Sequence, residues 1–314
     1  MRNAFAEELT ALASEDERIV LLSGDIGNRM FNDYKSRFLG RFLNCGVAEA
    51  NMMSMAAGMA LCGLRPITYT IASFATIRCL EQIRIDICYH NLPVTIVGVG
   101  GGLCYAANGA THHACEDIAS LRILPNMTVI CPGDAWEVRL ALRAAIKHKG
   151  PVYIRLGKKG EPVVHEQVPD FAIGKGIIVR EGSEVCLFST GNILPLAIQA
   201  SEELGKKGIS AQVVSLHTVK PIDENLLSEA FSEFSIVVTV EEHSLFGGLG
   251  GSVAEWLADH PHQKAGLVRI GTDDKFLHEA GGQDYARLCF GLTPETIAEK
   301  TWRAYQASVS SDVT

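Results

Sequence analysis

Gly46-Val47-Ala48-Glu49-Ala50-Asn51-Met52-Met53-Ser54-Met55-Ala56-Ala57-Gly58-Met59-Ala60 is apolar nearly all round, with small and Met residues at every helical offset. That composition predicts a helix buried on all sides rather than a surface helix. It lies between two short apolar runs of strand length, residues 19–23 and 66–70. A helix joining two buried strands is the connection that parallel strands need. One carboxylate, Glu49, stands at the start of the helix. An acid there is desolvated and its pKa pushed upward unless a cation or a donor meets it. The plainer alternative is an acid stabilised by the N-terminal helix dipole.

The alternation continues outward from this helix. Residues 94–99 form a strand running into a glycine-rich loop through Gly102, followed by a helix at 117–124 and a strand at 128–131. An amphipathic helix at 134–147 and a strand at 152–155 close this half, and residues 3–14 and 75–90 also carry helical periodicity. Residues 159–174 are polar and contain two prolines, as suits a linker. Beyond them strands recur at 185–189, 211–215, 236–240 and 267–270, with helices at 193–207, 222–234 and 247–260. Each half therefore reads as a mainly parallel sheet covered by helices. The expected architecture is α/β, with one domain over 1–160, a linker over 161–175 and a second domain over 176–314.

A length of 314 residues accommodates two such domains. The formal charge of −8, with no long basic run, opposes a nucleic-acid groove. The first twenty residues mix charged and apolar types and so lack a signal-peptide core, and no apolar run reaches the ~18 residues of a membrane span. Nine cysteines, an odd number with no Cys-x-x-Cys pair, fit reduced and buried thiols of a cytoplasmic protein.

Four constellations carry potential chemistry. Gly98-Val99-Gly100-Gly101-Gly102 follows a strand and invites a dinucleotide-binding reading. However, no helix opens behind it, the spacing ends on Leu103, and no acidic residue follows at the required distance. Asp25, in Gly24-Asp25-Ile26-Gly27, reads as a strand-end turn, although an Asp and a later Asn51 have oxygen donors suited to a hard cation. Phe74, in Ser73-Phe74-Ala75-Thr76-Ile77-Arg78, stands where its ring can present a stacking face. Asn108-Gly109-Ala110-Thr111-His112-His113 lies in the loop after a parallel strand, where α/β sheets place ligands. Adjacent side chains point in different directions, so at most one of the two histidines should enter a given pocket.

Gly46-Val47-Ala48-Glu49, the Phe74–Arg84 run, Asn108-Gly109-Ala110-Thr111-His112 and Leu121-Arg122-x-x-Pro125-Asn126-Met127 resemble the pyrimidine-binding domain of transketolases. Thr218-Val219-Lys220-Pro221-Ile222-Asp223 and Glu241-Glu242-His243-Ser244-x-x-Gly247-Gly248-Leu249-Gly250 resemble the C-terminal domain of the same family. The resemblance is collinear over essentially the whole chain. Deoxyxylulose-phosphate synthase and the β subunit of 2-oxoacid dehydrogenases are similar in a weaker degree, and a non-catalytic scaffold of this fold is a third alternative.

The resemblance implies a site for thiamine diphosphate shared between two chains. Glu49 matches the glutamate that hydrogen-bonds the pyrimidine ring nitrogen and shares a proton with it. Phe74 matches the aromatic stacked on that ring, and Arg78 belongs to the same cofactor-binding motif. His112 matches a catalytic histidine facing the substrate hydroxyls. Asn108 stands where an aspartate usually reads a sugar hydroxyl, and Lys158 where an arginine grips the sugar phosphate. Gly100 stands where many members carry a second histidine that contacts phosphate. The resemblance assigns no metal ligand to this chain. It implies that Mg2+ (or Ca2+) and the diphosphate are held by a separate N-terminal transketolase subunit in an α2β2 assembly. It further implies transfer of a two-carbon ketol unit from a ketose or ketose phosphate to an aldehyde.

Overall fold

The apolar runs of the first half become the parallel strands of one sheet. The protein is described by a computed structural model over residues 1–27, 29–158 and 160–311; Asn28, Lys159 and residues 312–314 lie outside the described residues. Strands β1 (Ile19–Ser23), β2 (Phe42–Asn44), β3 (Arg65–Ile71), β4 (Thr95–Val99), β5 (Thr128–Ile130) and β6 (Val152–Leu156) pair in parallel in the order β5-β6-β4-β3-β1-β2. Helices α1 (Arg2–Glu15), α2 (Asn32–Arg37), α3 (Glu49–Leu61), α4 (Ala72–Ala75), α5 (Leu80–Gln82), α6 (Asp117–Arg122) and α7 (Ala135–Lys147) accompany them. Side chains alternate along a strand, so Ile19 and Leu21 face one helical layer and Val20 and Leu22 the other. Phe5 and Leu9 of α1 and Val138 and Leu142 of α7 fill the first layer. Met52 and Met53 of α3 and Ile118 and Leu121 of α6 fill the second. Full burial of each such side chain contributes roughly 1.5–3 kcal/mol.

The second half forms its own sheet from β7 (Ile177–Arg180), β8 (Val185–Thr190), β9 (Ala211–Ser215), β11 (Ile236–Ser244) and β12 (Gly266–Thr272), in the order β12-β11-β8-β9-β7. Only β7 runs antiparallel to its neighbour. The short β10 (Thr218–Lys220) leaves this sheet and pairs antiparallel with β5, extending the first sheet to seven strands. Helices α8 (Leu194–Lys206), α9 (Glu224–Glu233), α10 (Leu249–Asp259), α11 (Gln283–Cys289) and α12 (Pro294–Ser311) complete the half, with α12 packed on α8. All nine cysteines are free and six are buried, as expected of thiols packed like small apolar groups.

Two sequence expectations need correction. The Glu49 helix is not buried on all sides: Glu49, Met52, Met53, Ala56, Ala57 and Ala60 face inward, whereas Asn51, Ser54, Gly58 and Leu61 are exposed. Small residues occupy that outer face, so composition could not distinguish it from a covered one. The expected helix over 75–90 is also broken. Thr76 donates its hydroxyl to the Ala72 carbonyl at the end of α4, a 3₁₀ turn at Ile77–Cys79 follows, and Ile83–Tyr89 is wound as a π-helix.

The polar segment between the sheets is fastened to α7. Asp134 Oδ2 accepts the N–H groups of Val164 (2.9 Å) and His165 (3.1 Å), and His165 Nε2 lies 2.8 Å from Glu137 Oε1. Burial alone would lower the His165 pKa, but the Glu137 carboxylate outweighs it and the net shift is upward. Burial likewise opposes ionisation of Glu137, yet His165 and the Gly133 N–H hold its pKa down. The stabilisation from His165 is therefore complete below its ordinary pKa of 6.5 and is lost as pH rises through the raised value. The Glu137 contribution is lost only as pH falls below the ordinary 4.5. Nearby His217, its pKa lowered by burial, works in the opposite sense and loses its contribution as pH falls below 6.5. His165→Gln should accordingly lower the melting temperature more near pH 6 than near pH 8.5. About 1.5–3 kcal/mol is at stake at the lower pH, the usual worth of a hydrogen bond to a charged group. Calorimetric scans at the two pH values check this, and equal losses at both would mean the pair is not ionised.

Candidate active site

The carboxyl ends of β1, β3 and β4 form one rim, where parallel sheets place their ligands. Glu49 enters that rim as the first residue of α3 and is 3% exposed. Thr70 Oγ1, near the end of β3, donates to Glu49 Oε1 at 3.4 Å, and Arg78 Nη1 donates to Oε2 at 3.0 Å. A cation thus meets the buried acid. The loop leading to it is braced by Asn44, which donates to Asp25 Oδ1 (2.8 Å) and accepts from the Gly46 N–H (3.0 Å). Asp25 has a left-handed φ of 59°, so it serves the strand-end turn read from the sequence.

From Glu49 the candidate residues follow one another along the rim. The Arg78 guanidinium lies 3.8 Å over the Phe74 ring, a cation–π contact that turns the ring and the acid toward one space. Phe74 meets the His112 ring edge-on at 5.1 Å, and His112 faces Tyr105 at 6.3 Å. Lys158 Nζ lies 4.8 Å over the Tyr105 ring. Thr111 Oγ1 sits 3.0 Å from His112 Nδ1, leaving Nε2 of that ring for another partner. Asn108 is the exception among the predicted residues. It is exposed at the end of a 3₁₀ turn and is tied to the run by its backbone N–H, which donates to the Tyr105 carbonyl.

The loop carrying His112 is held by the second sheet. Arg155 of β6, 2% exposed, pairs with the fully buried Asp117 at 2.8 Å and donates through Nη2 to the carbonyls of Ala114 (2.8 Å) and Glu242 (2.9 Å). Glu242 accepts from the Leu103 N–H (2.6 Å), Gln283 (2.9 Å) and Arg287 (2.6 Å). His243 receives the Ala119 N–H on Nε2 and lies 2.8 Å from the Ser244 carbonyl through Nδ1. Burial pushes the pKa of this imidazole down to about 4, so it stays neutral and performs both roles. The glycines that suggested a dinucleotide loop serve these approaches. A Cβ on Gly101 would stand 2.6 Å from the Arg155 side chain, and one on Gly102 would stand 2.6 Å from the Glu242 carbonyl.

Beside Phe74 and Arg78 stand three groups to which the family resemblance gives no role. The open depression there is also lined by His113, Glu116 and Phe276. His113 and Glu116 follow directly on the recognised motif, but Phe276 comes from the loop after β12 and has no local signal. The two histidines do diverge: His112 touches the aromatic run, whereas His113 is buried with its Nε2 unpartnered. This part of the site offers a buried carboxylate beside a stacking ring, a polar and aromatic pair suited to an aminopyrimidine. Among the described residues no group of three or more His, Cys, Asp or Glu is arranged to hold a metal ion.

Residues 1–161 match the family described as transketolase, pyrimidine binding domain, and residues 174–297 match the transketolase C-terminal domain. The chain belongs to the transketolase family. Among curated relatives it is 37% identical to a 6-deoxy-6-sulfo-D-fructose transketolase subunit of Clostridium sp. (strain MSTE9), over 95% of this chain and 92% of that one. It is 36% identical to an apulose-4-phosphate transketolase subunit of Phocaeicola vulgatus, over 95% of each chain. A solved structure described as a split gene transketolase, inactive β4 tetramer, superposes with a TM-score of 0.86 at 35% identity, covering 98% of this chain and 97% of that one. The transketolase expectation and the two-domain α/β architecture are thereby borne out.

Proposed function

We propose that this chain is the C-terminal subunit of a split transketolase, transferring a two-carbon ketol unit from a ketose to an aldehyde once joined by a separate N-terminal subunit. The observation that carries this is the continuous run Glu49–Arg78–Phe74–His112, set in a chain collinear with the two transketolase domains. When bound, thiamine diphosphate supplies the nucleophilic carbon and electron sink that C–C cleavage beside a carbonyl requires. Glu49 faces the pyrimidine ring nitrogen and exchanges a proton with it, Phe74 supplies the stacking face, and Arg78 positions both. His112, with Nδ1 held by Thr111, offers Nε2 to the hydroxyls of the donor. Asn108 and Lys158 complete the substrate side.

Mg2+ (or Ca2+) and the diphosphate fall to the partner subunit in this reading, in an α2β2 complex. The exposed surface around α3 supports it, since Leu61 at its end and Val47 just before its start are 67% and 76% exposed. The inactivity of the β4 tetramer named for the structural relative also supports a need for a second kind of chain. A cytoplasmic location goes with the free thiols. Among the described residues no helix is long and apolar enough to cross a membrane. Both named relatives act on sugars with an anionic group, which makes such a ketose the first donor to test.

Titration calorimetry of the chain alone should give negligible heat with Mg2+ and thiamine diphosphate, and tight binding by it alone would sink the split-subunit reading. The chain mixed with its N-terminal partner should turn over a ketose and leave pyruvate untouched. Use of pyruvate in place of a ketose would move it to the 2-oxoacid branch.

A further inference from the structure

Tyr105 lies on the rim between His112 and Lys158, and none of the recognised motifs includes it. Its ring rests directly on Gly100: a Cβ built there would stand 2.0 Å and 2.1 Å from two ring carbons. Gly100 also has a left-handed φ of 80°, so both space and backbone demand glycine. One edge of the ring thus abuts Gly100, the Lys158 ammonium lies over its face at 4.8 Å, and the His112 ring meets it at 6.3 Å.

Cations gather around this phenol without matching carboxylates. Among the described residues neither Arg2 nor Lys158 enters an ion pair, and Arg2 Nε is buried with no hydrogen-bond partner. Arg2 lies beside the Tyr105 hydroxyl, where its charge opposes the upward push that burial gives the phenol. Glu161, the nearby acid, is already taken by the Met1 ammonium at 3.3 Å. Two unmatched cations flanking a neutral hydroxyl donor are what the oxygens of an anionic group bind. The same phenol occupies the space that a side chain at position 100 would need, so an imidazole there and this ring exclude one another.

We infer that Tyr105 is a specificity-determining residue whose hydroxyl and ring, with Arg2 and Lys158, receive the anionic terminus of the ketose. The inference rests on the ketol-transfer reading above. The neutral phenol donates one hydrogen bond to that terminus, and the ring face keeps the Lys158 ammonium aimed at it. Selectivity at the far end of the sugar therefore passes through Tyr105, while bond cleavage stays with Glu49 and His112.

The test uses the chain reconstituted with its N-terminal partner, with fructose 6-phosphate and unphosphorylated fructose as competing donors. Tyr105→Ala should raise the KM for fructose 6-phosphate about tenfold or more, leave kcat within about threefold, and leave the KM for fructose little changed. Tyr105→Phe, which keeps the ring, should give a smaller rise in the same direction. Gly100→Ala drives a methyl into the ring and should reproduce the Tyr105→Ala change in donor ratio, with melting curves confirming that each variant folds. An unchanged ratio in folded Tyr105→Ala and Gly100→Ala complexes overturns the inference alone. Failure of the wild-type complex to use any ketose overturns both this inference and the functional reading beneath it.

Discussion

Glu49→Gln is expected to lower turnover by the reconstituted complex by a factor of about 10²–10⁴, the usual worth of a positioned proton-transfer group. The argument turns on what the substitution keeps. Gln has the size of Glu, so its amide oxygen can still accept from Arg78 Nη1 while its NH2 donates to Thr70 Oγ1. The inward face of α3, with Met52, Met53 and Ala56, is untouched, so the fold should survive. Arg78 loses its charge partner, but its side chain is 43% exposed and can hydrate, so the stability change should be small. Only the capacity to share a proton with a ring nitrogen disappears. Steady-state turnover and a melting curve on the same preparation separate the two effects. Activity within tenfold of wild type would mean that Glu49 does not carry the proton.

Which parts of the fold could be read from the sequence follows from how much each element buries. Strands buried on both faces, such as β1 and β4, are continuous apolar runs and stand out. Those that escaped are short or at an edge. β2 has three residues ending in an exposed Asn44, β7 alternates half-buried and exposed positions, and β10 is a three-residue strand that crosses to the other sheet. A local pattern carries no information about which sheet a strand will join. α11 and α12 also went unread, because their stretches contain many polar residues and α12 is stabilised by packing on α8. The candidate site shows the same division. Glu49, Phe74 and His112 could be put forward from the sequence because each sits in a local motif. The Arg78–Glu49 pair spans 29 positions and the Glu242–Leu103 bond 139, so both depend on the folded chain. Tyr105 has no such motif, because its packing on Gly100 is a contact that composition does not reveal.

Removing Asp117 should be the most damaging single change to stability, about 3–5 kcal/mol for Asp117→Ala. Arg155 and Asp117 are 2% and 0% exposed, and a buried pair is weak evidence of net stabilisation while both partners stand. Breaking it is a different matter, because the survivor is left as an uncompensated charge out of reach of water. Tyr153 would lose its acceptor as well, since its hydroxyl donates to Asp117 Oδ2 at 2.7 Å. The damage should also spread toward the site. Arg155 Nη2 donates to the carbonyls of Ala114 and Glu242, which join the His112 loop to β11. Arg155→Lys tests that geometry separately. An ammonium keeps the charge but cannot direct bonds to Asp117, Ala114 and Glu242 from one planar fork. It should therefore retain more stability than Asp117→Ala while loosening the loop, seen as faster hydrogen exchange at Gly102 and Ala114, whose N–H groups pair across the loop with each other's carbonyls. Denaturant unfolding of both variants, with exchange measured on Arg155→Lys, decides the matter. A loss under about 1 kcal/mol for Asp117→Ala would show that water reaches Arg155 and that this junction is not the dry anchor the burial describes.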